Sequence, residues 1–273
     1  MKSNLTVIIP NYNNERYIKK CLDSVLAQTM LPEEIIVVDD CSSDSSVDIL
    51  KEYLEKCSIL KCIFLEKNGG VSHARNIGIK NSRTRFVTTL DADDFYYDIH
   101  KLENEMTLLM EHNGAVVTYS MIVKVNEEGD LIQEKQNKKS DYLQGRISCL
   151  LIADYKNKTV PRDYCYDKKV LDECGYYDEN SNLFEDLDLL IRISRHLPVL
   201  CTHEYGTAYR IKKHGLSQRP KAQIISAKTR IFKNEFDKST FKEKIVIIFY
   251  RIPVYIREIC HTIKVKLKGG KKL

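Results

Sequence analysis

The chain has 273 residues, of which 43 are Lys or Arg and 38 Asp or Glu, with nine Cys, no Trp and 43% hydrophobic residues. That is one large domain or two small ones with enough apolar material for a substantial core, which excludes an intrinsically disordered chain. No apolar stretch reaches the roughly 20 residues that cross a bilayer, and the run 5–9 is too short for a signal peptide before Pro10-Asn11-Tyr12 stops it, so the chain is expected to begin in the cytoplasm. The cysteines are scattered, with no C-x-x-C pair, and are expected to be reduced thiols rather than a disulfide framework or a zinc site. Residues 221–273 hold 14 Lys or Arg against 4 Asp or Glu, a net +10 that leaves −5 on the first 220 residues. This asymmetry calls for an anionic surface as partner of the tail alone, and for no nucleic acid.

In chain order, the apolar run 5–9 predicts a buried strand. Residues 15–28 put Tyr17/Ile18, Cys21/Leu22 and Val25/Leu26 on one helical face, and 35–38 is the next buried strand. A helix at 45–56, a strand at 62–65, a helix at 72–81 after Gly69-Gly70, and a strand at 86–90 continue the alternation. It implies an α/β fold with a mostly parallel sheet between helices. A helix at 102–111, strand-like 115–125, a polar stretch at 126–140 and a helix at 185–195 follow. The division expected is 1–98 and 99–220 as two halves of one globular unit, with 221–273 as a basic helical extension.

Ligands of parallel sheets bind beyond the carboxyl ends of the strands, and those ends hold the polar clusters here. Pro10-Asn11-Tyr12-Asn13 follows the first strand, Asp39-Asp40 the second and Asp91-Ala92-Asp93-Asp94 the fourth, so all three are expected at one crevice. Asp91 and Asp93 form a D-x-D, two carboxylates that repel unless a cation joins them. Hard oxygen ligands suit Mg²⁺ or Mn²⁺, whose shell is normally completed by water and phosphate, so the implied ligand is a nucleoside diphosphate; a solvated acidic turn has the same pattern. Asp39-Asp40 reads either as a turn before a capped helix or as an acceptor for a base imide and ribose. Asn68-Gly69-Gly70 resembles a phosphate-cradling turn, yet it is neither a dinucleotide-binding fingerprint nor a P-loop. Glu185-Asp186 opens a helix, where acidic residues are favoured anyway, and a carboxylate there can equally serve as a general base toward a hydroxyl. His214 is either structural or a donor to pyrophosphate or a metal.

Five ordered motifs carry a resemblance. They are V-I-I-P-N-Y-N-N-E at 7–15, I-V-V-D-D-C-S-S-D at 36–44, N-G-G-V-S-H-A-R-N-I-G at 68–78, L-D-A-D-D at 90–94 and F-E-D-L-D-L-L-I-R at 184–192. Over about four-fifths of its length the chain resembles the inverting glycosyltransferases of family 2, which have the nucleotide-binding GT-A fold. The resemblance implies that Pro10, Tyr12 and Asp40 hold the uracil base, Tyr12 by stacking and Asp40 by accepting from the imide, with Asp39 supporting the loop. It implies Arg75 near base and phosphates, Asp93 as metal ligand with Asp91 nearer the ribose or a metal-bound water, and Asp186 as general base. Cys41 stands where the family usually has Gly, and Arg210 and His214 stand further apart than the common R-x-H; His214 is carried as a further metal ligand.

The reading reached is metal-dependent (Mn²⁺ or Mg²⁺), inverting transfer of a hexosyl or N-acetylhexosaminyl group from a UDP-sugar to the hydroxyl of a glycan or lipid-linked glycan acceptor, in bacterial cell-surface polysaccharide synthesis. A sugar-nucleotide nucleotidyltransferase and a non-catalytic nucleotide-sugar binding module are the alternatives. In the tail, Ile245, Ile248, Phe249, Ile252, Ile256, Ile259 and Ile263 form one stripe at helical spacing, with Arg251, Arg257, Lys264 and Lys268 off it and Pro253 expected to kink or restart the helix. That pattern predicts a peripheral helix on the inner face of an anionic membrane, or else a helix packed on the domain or on a second copy in a homo-oligomer.

Overall fold

The computed structural model describes residues 3–132, 143–153, 160–181, 183–212 and 220–269, the side chains of Lys221, Val254 and residues 257–269 excepted. Strand β1 (Leu5–Asn11) and strand β2 (Glu34–Asp39) are buried at every residue, as a strand covered on both faces must be. With β3 (Leu60–Phe64), β4 (Phe86–Thr89) and the two-residue β7 (Tyr166–Asp167) they form a sheet of order β3-β2-β1-β4-β7. Every pairing in it is parallel except the edge pair of β4 with β7. The register sets Asn11 opposite Asp39, so the polar residues after β1 and β2 emerge side by side. Leu90 donates its amide to Ile8 at 2.9 Å, which brings the start of the acidic loop 91–94 beside them.

Helices α1 (Ile18–Leu26), α2 (Ser46–Lys56), α3 (Val71–Asn81) and α4 (Lys101–Glu111) fall where their periodicity predicts, α1 starting later. Residues 13–15 are withheld from α1 by contacts with the loop after β2. Asn14 N–H donates to Ser46 Oγ at 3.1 Å, and Glu15 Oε2 accepts from Ser45 N–H at 2.9 Å.

A second sheet of order β5-β8-β6 joins β5 (Phe95–Tyr96), β6 (Val117–Val125) and β8 (Val199–Arg210), with β6 and β8 parallel. The sequence reading assigned no element to 199–210. Thr202-His203-Glu204 interrupts its apolar pattern, and there His203 takes a φ of 62° and the β6/β8 register shifts. The short α5 (Ser148–Ile152) and α6 (Val170–Cys174) also went unpredicted, whereas α7 (Glu185–His196) matches its expected span.

The extension forms α8 (Lys221–Lys238) and α9 (Phe241–Gly269), and α9 runs on through Pro253 rather than breaking there. Ile231 and Ile247 are buried in the same core cluster as Ile8, Ile79, Val87 and Tyr119, so one core draws on the first hundred residues, the middle and the extension. Arg195 of α7 ties α8 down, pairing with Glu235 at 2.9 Å and donating to its carbonyl at 2.8 Å. Among the described residues no helix is long and apolar enough to cross a membrane, and every cysteine is a free thiol.

Candidate active site

The loop after β2 is built around two carboxylates with separate tasks. Asp39 accepts from Asn11 Nδ2 at 2.7 Å and from the Ser42 amide and hydroxyl at 2.9 and 2.7 Å, closing the turn on itself. Cys41 within it has a φ of 66°, the left-handed region in which glycine is unstrained, which is a physical reason for Gly at this position in the related motif. Asp40 reaches across to the start of α3, where its two oxygens accept from the Gly69 and Gly70 amides at 2.7 and 2.8 Å. The glycine turn is therefore an anion cradle, as its sequence suggests, and the anion it holds is Asp40 at a helix N-terminus. A side chain at Gly69 would collide with the His73 ring, and Gly70 has a φ of 88°, so both positions demand glycine. Pro10 is buried in β1, whereas Tyr12 just beyond it is 49% exposed, leaving a ring face open to stacking at the crevice rim.

Asp91, Asp93 and Asp94 each offer an oxygen within 4.8 Å of the others, the only such group of three found among the described residues. Three carboxylates this close are tolerated because cations surround them. Arg75 Nη2 donates to Asp91 Oδ1 at 2.6 Å, Arg162 lies 3.5 Å from Asp91 Oδ2, and Lys212 contacts Asp93. Burial alone would raise the Asp91 carboxyl, but Arg75 and then Arg162 outweigh it and hold it below the usual carboxylate range. Asp94 is pushed well above that range by burial and by Asp93, with Oδ1 taken by the Arg210 amide at 2.7 Å and Oδ2 buried without a hydrogen-bond partner. A buried, unpartnered carboxylate oxygen beside two others is the donor set a hard divalent cation takes, so the residues fit Mg²⁺ or Mn²⁺. Arg210 holds this loop in place, its Nε donating to the Asp93 carbonyl at 2.7 Å and its Nη1 to the carbonyls of Asn126 and Glu127. His214, four residues on, lies outside the described residues.

Arg75 also spans to α7, where Nη1 donates to Glu185 Oε1 at 2.7 Å, and its guanidinium lies 5.2 Å from the Tyr177 ring centre. The structure thus puts Arg75 between the acidic loop and the α7 N-terminus. Asp186, the next residue, lines a cavity of about 190 Å³ together with Leu150, Val160, Arg162, Phe184 and Lys228. Arg162 stands between the two acidic groups. It is raised well above its ordinary range, burial opposing and Asp186 foremost among the carboxylates that raise it, followed by Asp163, Asp91 and Asp94. Asp163 itself is raised to about 6, chiefly by burial.

The structure brings Pro10, Tyr12, Asp39, Asp40, Arg75, Asp91, Asp93 and Asp186 to one side of the sheet. Sequence reasoning missed Arg162, Lys212, Glu185 as a partner of Arg75, and Lys228 of the extension as a cavity wall. Asp94 was visible as the last letter of L-D-A-D-D and Glu185 stood in F-E-D-L-D-L-L-I-R; Arg162, Lys212 and Lys228 stand in segments with no pattern that singles them out.

The model for glycosyl transferase family 2 matches residues 6–172. An uncharacterized glycosyltransferase of Rickettsia typhi is 30% identical over 204 residues, covering 73% of this chain and 61% of that protein. The poly(ribitol-phosphate) beta-N-acetylglucosaminyltransferase TarS of Staphylococcus aureus is 38% identical over 120 residues, 42% of this chain and 20% of TarS. Crystal structures of S. aureus TarS 1–349 with UDP and with UDP-GlcNAc superpose with a TM-score of 0.68 at 22% identity, over 92% of this chain and 71–72% of theirs. At that identity the superposition shows a shared fold. The chain spans less than two thirds of the length of the curated relatives it matches.

Proposed function

The chain belongs to glycosyl transferase family 2, and on that premise we propose that it moves a sugar from a nucleoside diphosphate, UDP above all, to an acceptor hydroxyl with inversion at the anomeric carbon. The observation that carries this reading is the pair of arginines linking the two acidic groups. Arg75 and Arg162 each sit between the Asp91 loop and the α7 N-terminus, so a donor held at the loop presents its sugar toward Asp186.

Tyr12 would stack on the base at the crevice rim, and Asp40, fixed by two amides, offers its remaining lone pairs to the imide. Asp186 would take the acceptor proton as the oxygen attacks in line. Its cavity places a carboxylate among the apolar walls of Leu150, Val160 and Phe184, which limits water as a competing nucleophile. Asp93, with Asp91 and Asp94 beside it and His214 as a further ligand, would hold Mn²⁺ or Mg²⁺. Such an ion supplies charge neutralisation for the departing diphosphate. Transfer of a hexosyl or N-acetylhexosaminyl group to a cell-surface or lipid-linked glycan is the chemistry proposed, supported by the relationship to the poly(ribitol-phosphate) beta-N-acetylglucosaminyltransferase TarS and by the UDP-GlcNAc complex of TarS 1–349.

Calorimetric titration with UDP, with and without Mn²⁺, tests the donor site. Asp93→Ala should abolish the metal-dependent part of the affinity and leave the fold intact, and undiminished metal-dependent affinity would refute the assignment. Asp186→Asn should bind UDP as the parent does while sugar transfer falls by about 10²–10⁴-fold.

A further inference from the structure

We propose that α9 seats the protein on an anionic lipid bilayer, through the helix face that carries Phe241, Ile245, Ile248, Phe249, Ile252 and Ile256. The proposal stands independently of the sugar-transfer reading. The sequence left two uses open for this stripe, packing against the domain or contact with lipid, and the structure separates them because α9 has two apolar faces. One is already in use. Ile247 is fully buried in the core, Tyr250 packs against the same cluster, and Arg251 lies 4.0 Å from the centre of the Phe232 ring. Arg251 is therefore spent on the docked side rather than on an open basic face.

The other face is bare. Phe241 is 79% exposed, Phe249 70%, and Ile245, Ile248, Ile252 and Ile256 between 50% and 55%. At about 100° per residue these six fall within some 120° of arc, and Ile247 points to the opposite side. Isolated exposed apolar residues need no explanation, but six large ones on one helical stripe mark a contact surface.

Charge decides the occupant. Residues 241–273 hold nine Lys or Arg against two Asp or Glu. Two copies of this chain meeting on the stripe would bring those charges together and repel, whereas an anionic bilayer takes up the apolar stripe and the basic charge at once. Such seating places the bilayer near the candidate site. The short α5 packs against α9 while its Leu150 and Leu151 line the cavity of Asp186, so only one helix separates that cavity from the lipid-facing element.

The test is co-sedimentation of the full chain with vesicles of phosphatidylcholine alone and of phosphatidylcholine with phosphatidylglycerol, at low and high salt. The parent should pellet with the anionic vesicles, less at high salt, and weakly with the neutral ones. Ile248→Asp/Phe249→Asp/Ile252→Asp should lower partitioning at least about tenfold with an unchanged melting midpoint, since all three side chains already face water, and the milder Ile248→Ser/Phe249→Ser should lose part of it. A parent that leaves anionic vesicles in the supernatant, or a triple variant that binds them as well as the parent, would overturn the proposal. So would a parent dimer in sedimentation velocity that the triple variant converts to monomer without any vesicle binding, because the face would then belong to a second copy.

Discussion

Replacing Arg75 by Met is expected to unlock the two acidic groups from each other. The arginine side chain is 6% exposed and makes two charge-assisted bonds, at 2.6 Å to Asp91 and 2.7 Å to Glu185, whose side chains are 24% and 12% exposed. Each such bond is worth about 1.5–3 kcal/mol, and removing one partner of a buried ion pair typically costs about 3–5 kcal/mol because the other charge stays buried. Asp91 keeps Arg162 at 3.5 Å, which softens the loss on that side, while Glu185, whose ion pair among the described residues is with Arg75 alone, is left beside Asp186. The expected cost is about 3–4 kcal/mol, read as a lower urea midpoint at unchanged slope, without metal or nucleotide. Glu185→Gln in the Arg75→Met background should restore about 1 kcal/mol or more, since it removes the stranded charge. A single variant within about 1 kcal/mol of the parent, or single losses that simply add in the double variant, would show that the arginine does not hold this junction.

Asp40→Asn should destabilise the protein by about 1.5–3 kcal/mol with no nucleotide present, because an amide offers one oxygen where two backbone N–H groups now converge on a carboxylate; urea unfolding of the apo protein that matches the parent would reassign Asp40 to binding alone. Asp163, raised to about 6 from an ordinary 3.8, binds its proton more tightly folded than unfolded, so its contribution to stability is fullest below pH 4, declines between pH 4 and 6, and stays lost above. Asp163→Asn keeps a residue tolerant of the local φ of 47° and should become progressively more stable than the parent across that window, by up to about 3 kcal/mol, whereas parallel stability curves between pH 4 and 7 would refute the assignment.

The first hundred residues declare their own architecture because each element's local pattern agrees with its tertiary role. Residues 35–38 are continuously apolar and 5–9 are so but for Thr6, whose buried hydroxyl is hydrogen-bonded to Glu34 and Thr84, as suits strands covered on both faces, and the apolar stripe of α1 between them packs into the same cluster. Once the strands are parallel, Tyr12, Asp40, Asp91 and Asp93 must share the edge where the carboxyl ends emerge, so the candidate crevice was legible from chain order alone. Tertiary structure decided what those groups are paired with. Arg75 meets Glu185 from 110 residues away, and no spacing rule reaches that far. Gly69 and Gly70 carry the signature of an anion cradle, but only the folded chain shows that Asp40 fills it. β8 was lost to a polar interruption that a bulge accommodates. In α9, periodicity finds one apolar stripe and has no means to say whether it meets the protein or stays open; that is settled by where α5 and the Phe232 ring of α8 stand, and Ile247, off the stripe, is the side chain buried in the core.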